Sequence, residues 1–155
     1  MGKFFSCDWG TSALRLRLVD SDTMNVLAET VSRDGVLVLF NLWQKETDHE
    51  NNRISFYQSF LQNRIQKLEE QLHVSLEGVP LVVSGMASST IGMLELRYKE
   101  VPLSCNGDDF ITMIIGSEAK FKHSILLISG IRTADDVIRG EETQLLGCIE
   151  ENEKT

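Results

Sequence analysis

The sequence predicts an α/β fold built on one mixed sheet, antiparallel at its start and parallel further on, with helices flanking it. Three observations carry that expectation. Leu14, Leu16 and Leu18 alternate with Arg15, Arg17 and Val19, which is the period of a strand with one buried face. From Ile54 the spacing changes: Tyr57, Leu61, Ile65, Leu68 and Leu72 follow one another at intervals of four and three, the stripe of an amphipathic helix. Finally, Leu81-Val82-Val83 and Ile125-Leu126-Leu127-Ile128 are short unbroken apolar runs, the character of strands covered on both faces.

In chain order, Lys3 to Cys7 is a short strand, followed by a turn over Asp8 to Ser12 and the alternating strand from Leu14. A polar turn at Asp20 to Thr23 leads to a third strand, Met24 to Val31, with Val26, Ala28 and Thr30 expected on one face. Val36 to Trp43 is apolar throughout and fits a strand or a helical turn, so its type stays open, while Trp43 reads as core or pocket wall. Gln44 to Arg53 is too polar to pack and reads as a loop or a frayed helix start, with His49 solvated. The helix from Ile54 carries Gln62, Arg64, Lys67, Glu69 and Glu70 on its outer face and ends near His73, where a cation meets the negative end of the helix dipole. Gly78-Val79-Pro80 introduces the first buried strand, and Ser84-Gly85 ends it. Val101-Pro102 should be extended, and Asp108 to Glu118 fits either a short helix or a strand. The second buried strand also ends in a Ser-Gly pair, Ser129-Gly130, and Gly140-Glu141-Glu142 then opens a helix.

Composition narrows the function classes. At 155 residues the chain fits one domain able to bury a core, and with 42% hydrophobic residues and only 2 Pro it is not a disordered segment. The formal charge of -8 repels nucleic-acid backbones and anionic membranes, although a small phosphate site built from local N–H groups is compatible with it. Cys7, Cys105 and Cys148 are odd in number and widely spaced, which fits reduced thiols in the cytoplasm. No run is long enough to cross a bilayer. Met1-Gly2 to Ser6 matches a myristoylation pattern formally, but Phe4 and Phe5 belong to the first strand and no second membrane signal accompanies them.

Three stretches carry candidate chemistry. The turn Asp8-Trp9-Gly10-Thr11-Ser12 joins two strands and offers backbone N–H groups, two hydroxyls and a carboxylate, suited to a phosphate and a metal; an ordinary polar turn uses the same residues. Gly85 to Ser89 places small residues and serine hydroxyls at the end of a buried strand, as a substrate loop or a structural turn would. Glu141 and Glu142 lie in the first turn of a helix, where a carboxylate serves as a base or simply complements the dipole.

Extended to Asp8-Trp9-Gly10-Thr11-Ser12 with Leu14-Arg15, to Gly85-Met86-Ala87-Ser88-Ser89-Thr90-Ile91-Gly92, and to the run from Asp136 through Arg139-Gly140-Glu141-Glu142-Thr143-Gln144 to Gly147, these landmarks resemble the amino-terminal half of the 2-dehydro-3-deoxygalactonokinase family. The resemblance implies a ribonuclease H-like domain of the sugar kinase, Hsp70 and actin superfamily over 1–150, with 151–155 a solvated tail and the second, nucleotide-binding domain absent from this chain. It implies ATP-dependent phosphorylation of the 6-hydroxyl of 2-dehydro-3-deoxy-D-galactonate in galactonate catabolism. It assigns Asp8 to Mg²⁺, Gly10, Thr11 and Ser12 to the ATP phosphates, and Arg15 to charge neutralisation, with Arg17 on the same face. Glu141 is the implied general base, with Glu142 the second candidate. Gly85, Ser88, Ser89, Tyr98 and Arg139 are implied for the sugar acid. Leu96-Arg97 precede Tyr98 where the family commonly has an acidic residue and a Pro. The partners expected are the sugar acid and ATP, with neither nucleic acid nor membrane, and a homo-oligomer is an open option. Without its second half the chain is expected to bind nucleotide weakly and turn over little. A sugar-acid or phosphate binding module and a phosphohydrolase of the same superfamily are the alternatives.

Overall fold

In the computed structural model, which describes residues 2–46 and 53–148, the sheet is built from both ends of the chain. β1 (Lys3–Trp9), β2 (Leu14–Asp20) and β3 (Val26–Ser32) form an antiparallel meander. Two helices follow, α1 (Val36–Trp43) and α2 (Arg53–Leu72), then β4 (Leu81–Gly85), a single 3₁₀ turn (Met86–Ser88) and the short β5 (Lys99–Glu100). β6 (Thr112–Ile115), β7 (Ile125–Ile128), the two-residue strands β8 (Ile131–Arg132) and β9 (Val137–Ile138), and α3 (Glu141–Cys148) complete the order.

The main sheet runs β3-β2-β1-β4-β7-β6, with β1, β4 and β7 parallel and β6 antiparallel at the edge. This is the mixed sheet that the two periodicities predict, and the buried runs occupy its centre. β5, β8 and β9 make a separate three-stranded sheet beyond the ends of β4 and β7. Strands of two residues carry no periodicity, so the sequence holds no signal for this second sheet.

One face of the main sheet is closed by α1 and α2. Phe5, Cys7, Trp9, Leu14, Leu16, Leu18, Leu81, Val83, Ile125 and Leu127 meet Val36, Leu39, Tyr57, Leu61, Ile65 and Leu68 in one continuous core. Trp9 lies edge-on to Tyr57 and stacks on Phe60, which ties the end of β1 to α2. Alternation therefore sends Asp8 to the opposite face from Cys7 and Trp9, out of the core.

Several open readings resolve for identifiable reasons. Val36 to Trp43 is a helix because its first N–H groups find acceptors in the β1–β2 turn: Val36 donates to the Gly10 carbonyl (3.0 Å) and Leu37 to that of Thr11 (3.2 Å). Residues 112–115 are a strand because β7 has a free edge beside them. The third strand departs from expectation at its start. A bulge between Leu18 and Val19 pairs Val26 with Val19, so Val26 leaves the face of buried Ala28 and is exposed. His73 follows the last turn of α2 in a left-handed conformation (φ 54°), the geometry of a C-terminal cap position. His49 and the 151–155 tail lie outside the described residues. Among the described residues no helix is long and apolar enough to cross a membrane.

Candidate active site

The site is set by a close stack of backbones at the C-terminal ends of β1 and β4. Gly85 pairs with Trp9 across the parallel ladder and has φ +91°, and a Cβ built there would sit 2.6 Å from the Trp9 carbonyl oxygen. Gly140, at φ +106°, lies on Gly85 in turn, with a built Cβ 3.2 Å from the Gly85 Cα. Only glycine at both positions lets the start of α3 descend onto the strand ends. That descent brings Glu141, 133 residues away from Asp8 in sequence, to the same edge of the sheet as the Asp8 turn.

A side-chain contact closes this arrangement. Gln144 Nε2 donates to Asp8 Oδ2 at 3.1 Å, linking α3 to β1. Asp8 lines a cavity of about 200 Å³ together with Gly10, Ser12 and Arg15. The turn itself is held rigidly: Gly10 N–H donates to the Ala13 carbonyl, α1 takes the carbonyls of Gly10 and Thr11, and Gly35 packs so closely on Thr11 that a Cβ would overlap its backbone. Thr11 and Ser12 are exposed. Arg15 and Arg17 do share a face, as the alternation requires, and both approach Glu29, Arg17 at 2.5 Å and Arg15 at 3.9 Å. Arg17 is thus the committed partner, which holds Glu29 below the usual carboxylate range through the hydrogen bond it donates. Arg15 is the looser one and borders the Asp8 cavity.

Ser88 and Ser89 lie at the strand end as expected, but their hydroxyls are engaged internally. Ser89 Oγ donates to the Met86 carbonyl (2.7 Å), and buried Ser88 Oγ accepts from Arg139 Nη1 (2.6 Å). Arg139 is the hub of this region. Its Nη1 also donates to the Ser88 carbonyl (2.7 Å), Nε to the Tyr98 hydroxyl (3.0 Å) and Nη2 to the Leu96 carbonyl (3.3 Å). The guanidinium lies over the Tyr98 ring, 4.0 Å from its centre. Four of its five N–H bonds are therefore occupied by the protein itself. Tyr98 joins Arg139 and Glu141 around a cavity of about 530 Å³.

The two acids of α3 diverge. Glu141 is exposed and borders that cavity. Glu142 is 5% exposed, and neither of its carboxylate oxygens has a hydrogen-bond partner among the described residues. Burial pushes its carboxyl above the usual range; nearby backbone N–H groups and Arg139 oppose the shift, and the charge on Glu141 adds to it. The sequence-predicted residues thus form two clusters, Asp8 with Gly10, Ser12 and Arg15, and Tyr98 with Arg139, Ser88 and Glu141, joined through the Gly85–Gly140 contact and Gln144. Sequence reasoning did not single out Gln144. Its position three residues after Glu141, one helical turn on, is the signal that could have found it.

A metal fits this site only in part through protein groups. Asp8 is the one carboxylate lining the smaller cavity, and no group of three His, Cys, Asp or Glu side chains able to hold an ion occurs among the described residues. One carboxylate beside a turn of hydroxyls and N–H groups suits an Mg²⁺ ion whose remaining ligands are water and phosphate.

Comparison with known proteins identifies the family. The family model for 2-keto-3-deoxy-galactonokinase matches residues 8–155. A curated relative from Rhizobium meliloti (strain 1021), described as a probable 2-dehydro-3-deoxygalactonokinase, is 28% identical over 154 residues, which is 95% of this chain and 42% of the relative. A solved crystal structure of a Sinorhizobium meliloti protein assigned as a 2-dehydro-3-deoxygalactonokinase superposes with a TM-score of 0.70 at 27% identity, covering 93% of this chain and 41% of that one. The chain thus spans less than half the length of the relatives it matches. Over that span, the match runs from the Asp8 turn through α3, and the chain belongs to the 2-keto-3-deoxy-galactonokinase family.

Proposed function

We propose that this chain is the substrate-handling and phosphate-handling half of an ATP-dependent kinase that phosphorylates the 6-hydroxyl of 2-dehydro-3-deoxy-D-galactonate, acting in the cytoplasm in galactonate catabolism. The observation that carries the reading is the Gln144–Asp8 link together with the Gly140–Gly85 contact, which supports a shared site for a phosphate turn and a carboxylate at a helix start. The relatives are more than twice as long as this chain, and the proposed transfer is that of a protein of their length.

In this reading the sugar acid lies in the cavity bounded by Tyr98, Arg139 and Glu141, with its 6-hydroxyl toward Glu141. Glu141 accepts the hydroxyl proton as the O6–P bond forms and the bond from the γ-phosphorus to the β-phosphate oxygen breaks, leaving ADP. Glu141 suits this better than Glu142, because Glu141 is exposed and lines the cavity whereas Glu142 is buried and does not. Gly10, Thr11 and Ser12 approach the ATP phosphates, and Arg15 offsets charge on the transferring group. Mg²⁺, when bound with ATP, neutralises phosphate charge, and Asp8 would hold it through water. Gly85, Ser88 and Ser89 shape the floor of the sugar site, and Arg139 fixes its wall.

The test places Asp8→Asn and Glu141→Gln in a kinase of the relatives' length that carries this half. Each should lower phosphoryl transfer at least 100-fold, with Glu141→Gln leaving sugar-acid binding intact. Undiminished transfer in either variant overturns the role given to that residue. Phosphate release from ATP at the same rate with and without the sugar acid would instead favour a phosphohydrolase.

A further inference from the structure

Resting on that reading of the sugar site, we propose that Arg132 is the residue that binds the carboxylate of the sugar acid and so selects an acid over a neutral sugar. A substrate that carries its acceptor hydroxyl at one end and a carboxylate at the other needs a cation at a distance from the base. Arg139 is the cation closest to hand, but its donors are already spent on Ser88, Tyr98 and Leu96. Of the other cations, Lys99 pairs with Asp109 at 3.6 Å, Arg53 donates to the Thr90 carbonyl while lying over Phe40 and Trp43, and exposed Arg97 lines neither cavity beside Tyr98.

Arg132 differs from these. It is exposed and makes no ion pair among the described residues, even though Glu100 is its neighbour across the β5–β8 ladder. It borders a cavity of about 310 Å³ with Tyr98, Asp136 and Val137, and those three residues also line the cavity that reaches Glu141. The two cavities therefore share a wall, with Glu141 lining one and Arg132 the other. The small sheet explains the spacing: Arg132 on β8 is paired directly with Val137 on β9, and Val137 leads through Ile138, Arg139 and Gly140 to Glu141. Asp135 and Asp136 line the same cavity, and Asp136 Oδ1 accepts the N–H of Val137 at 2.8 Å. A guanidinium presents two parallel N–H donors that match a carboxylate, and those of Arg132 have no ion-pair partner among the described residues.

The experiment measures binding of 2-dehydro-3-deoxy-D-galactonate and of its neutral carboxamide to this chain by titration calorimetry, for the parent and for Arg132→Gln, Arg132→Lys and Arg139→Lys. The parent should prefer the acid. Arg132→Gln should weaken the acid about 10- to 100-fold, the loss of a charge-assisted contact, and leave the carboxamide unchanged, with Arg132→Lys in between. Arg139→Lys should weaken both ligands alike, as expected of a residue that holds the wall. Retained preference for the acid in both Arg132 variants refutes the assignment and leaves the sugar-acid reading standing. Failure of the parent to bind either ligand overturns both. If Arg132→Gln loses its native circular dichroism, the Arg132→Lys comparison decides alone, since it keeps the charge and changes only the fork geometry.

Discussion

Replacing Gly85 by Ala tests the backbone stack on which the site depends. At φ +91° and ψ −142° a Cβ is strained wherever it is placed, at a cost on the order of 1–3 kcal/mol. The built Cβ also meets the Trp9 carbonyl oxygen at 2.6 Å and the carbonyl carbon at 3.1 Å, atoms of a core strand that cannot swing aside. Parting β1 from β4 adds about 1–3 kcal/mol of overpacking, so Gly85→Ala should destabilise by about 2–6 kcal/mol. Gly78 supplies the control, because it has φ +81° but nothing within 4 Å of its built Cβ. Gly78→Ala should therefore cost only the conformational term, about 1–2 kcal/mol. Urea unfolding followed by tryptophan fluorescence measures both, since Trp9 is fully buried and sits at the contact. In thermal melts the Gly85 variant should fall by roughly 2–4 °C for each kcal/mol lost. It should also lose sugar-acid binding beyond its loss of stability, because Gly140 rides on Gly85. Equal costs for the two substitutions, or a Gly85→Ala protein that binds normally, would refute the reasoning.

Other perturbations follow from the same geometry. Arg139→Lys removes the fork that joins Ser88, Tyr98 and Leu96 and should lower stability by on the order of 2–3 kcal/mol in the same unfolding assay. Tyr57→Phe loses the hydroxyl that donates to the Ile91 carbonyl at 2.5 Å, leaves that acceptor buried, and should cost about 1–2 kcal/mol. Because the Glu142 carboxyl is raised above its ordinary 4.5, the native state holds a proton that the unfolded chain has released. Stability is therefore highest at and below that ordinary value and declines as pH rises through the shifted one, and Glu142→Gln should flatten this decline in melts recorded across pH. Burial and the Asp8 charge push the Cys7 thiol upward, so iodoacetamide should label exposed Cys105 in the native protein and reach Cys7 only on unfolding, as read by peptide mass spectrometry.

Periodicity made the main sheet and the long helix legible, since Leu14 to Leu18, Tyr57 to Leu68 and the two apolar runs each need one specific environment to bury them. Asp8, Gly85 and Glu141 stood out only through the resemblance to a family motif, since each residue type also suits an ordinary turn or a helix start. Three features were hidden. The helical state of Val36 to Trp43 depends on carbonyls of Gly10 and Thr11, each supplied 26 residues before its donor. The displacement of Val26 depends on a bulge that no alternation records. The commitment of Arg139 depends on Ser88, Leu96 and Tyr98, more than 40 residues before it.

Local order was thus written in the chain, because burial demands a pattern and glycine, serine and carboxylates mark where a pattern ends. Which donors remain free for a ligand was decided only by tertiary packing. A guanidinium or hydroxyl has the same chemistry at every position, and only its neighbours in space determine that Arg139 is spent on the protein while Arg132 borders a cavity. The same holds for the two adjacent acids: one residue of rotation on α3 separates an exposed Glu141 at the cavity from a buried Glu142 whose carboxylate has no hydrogen-bond partner among the described residues.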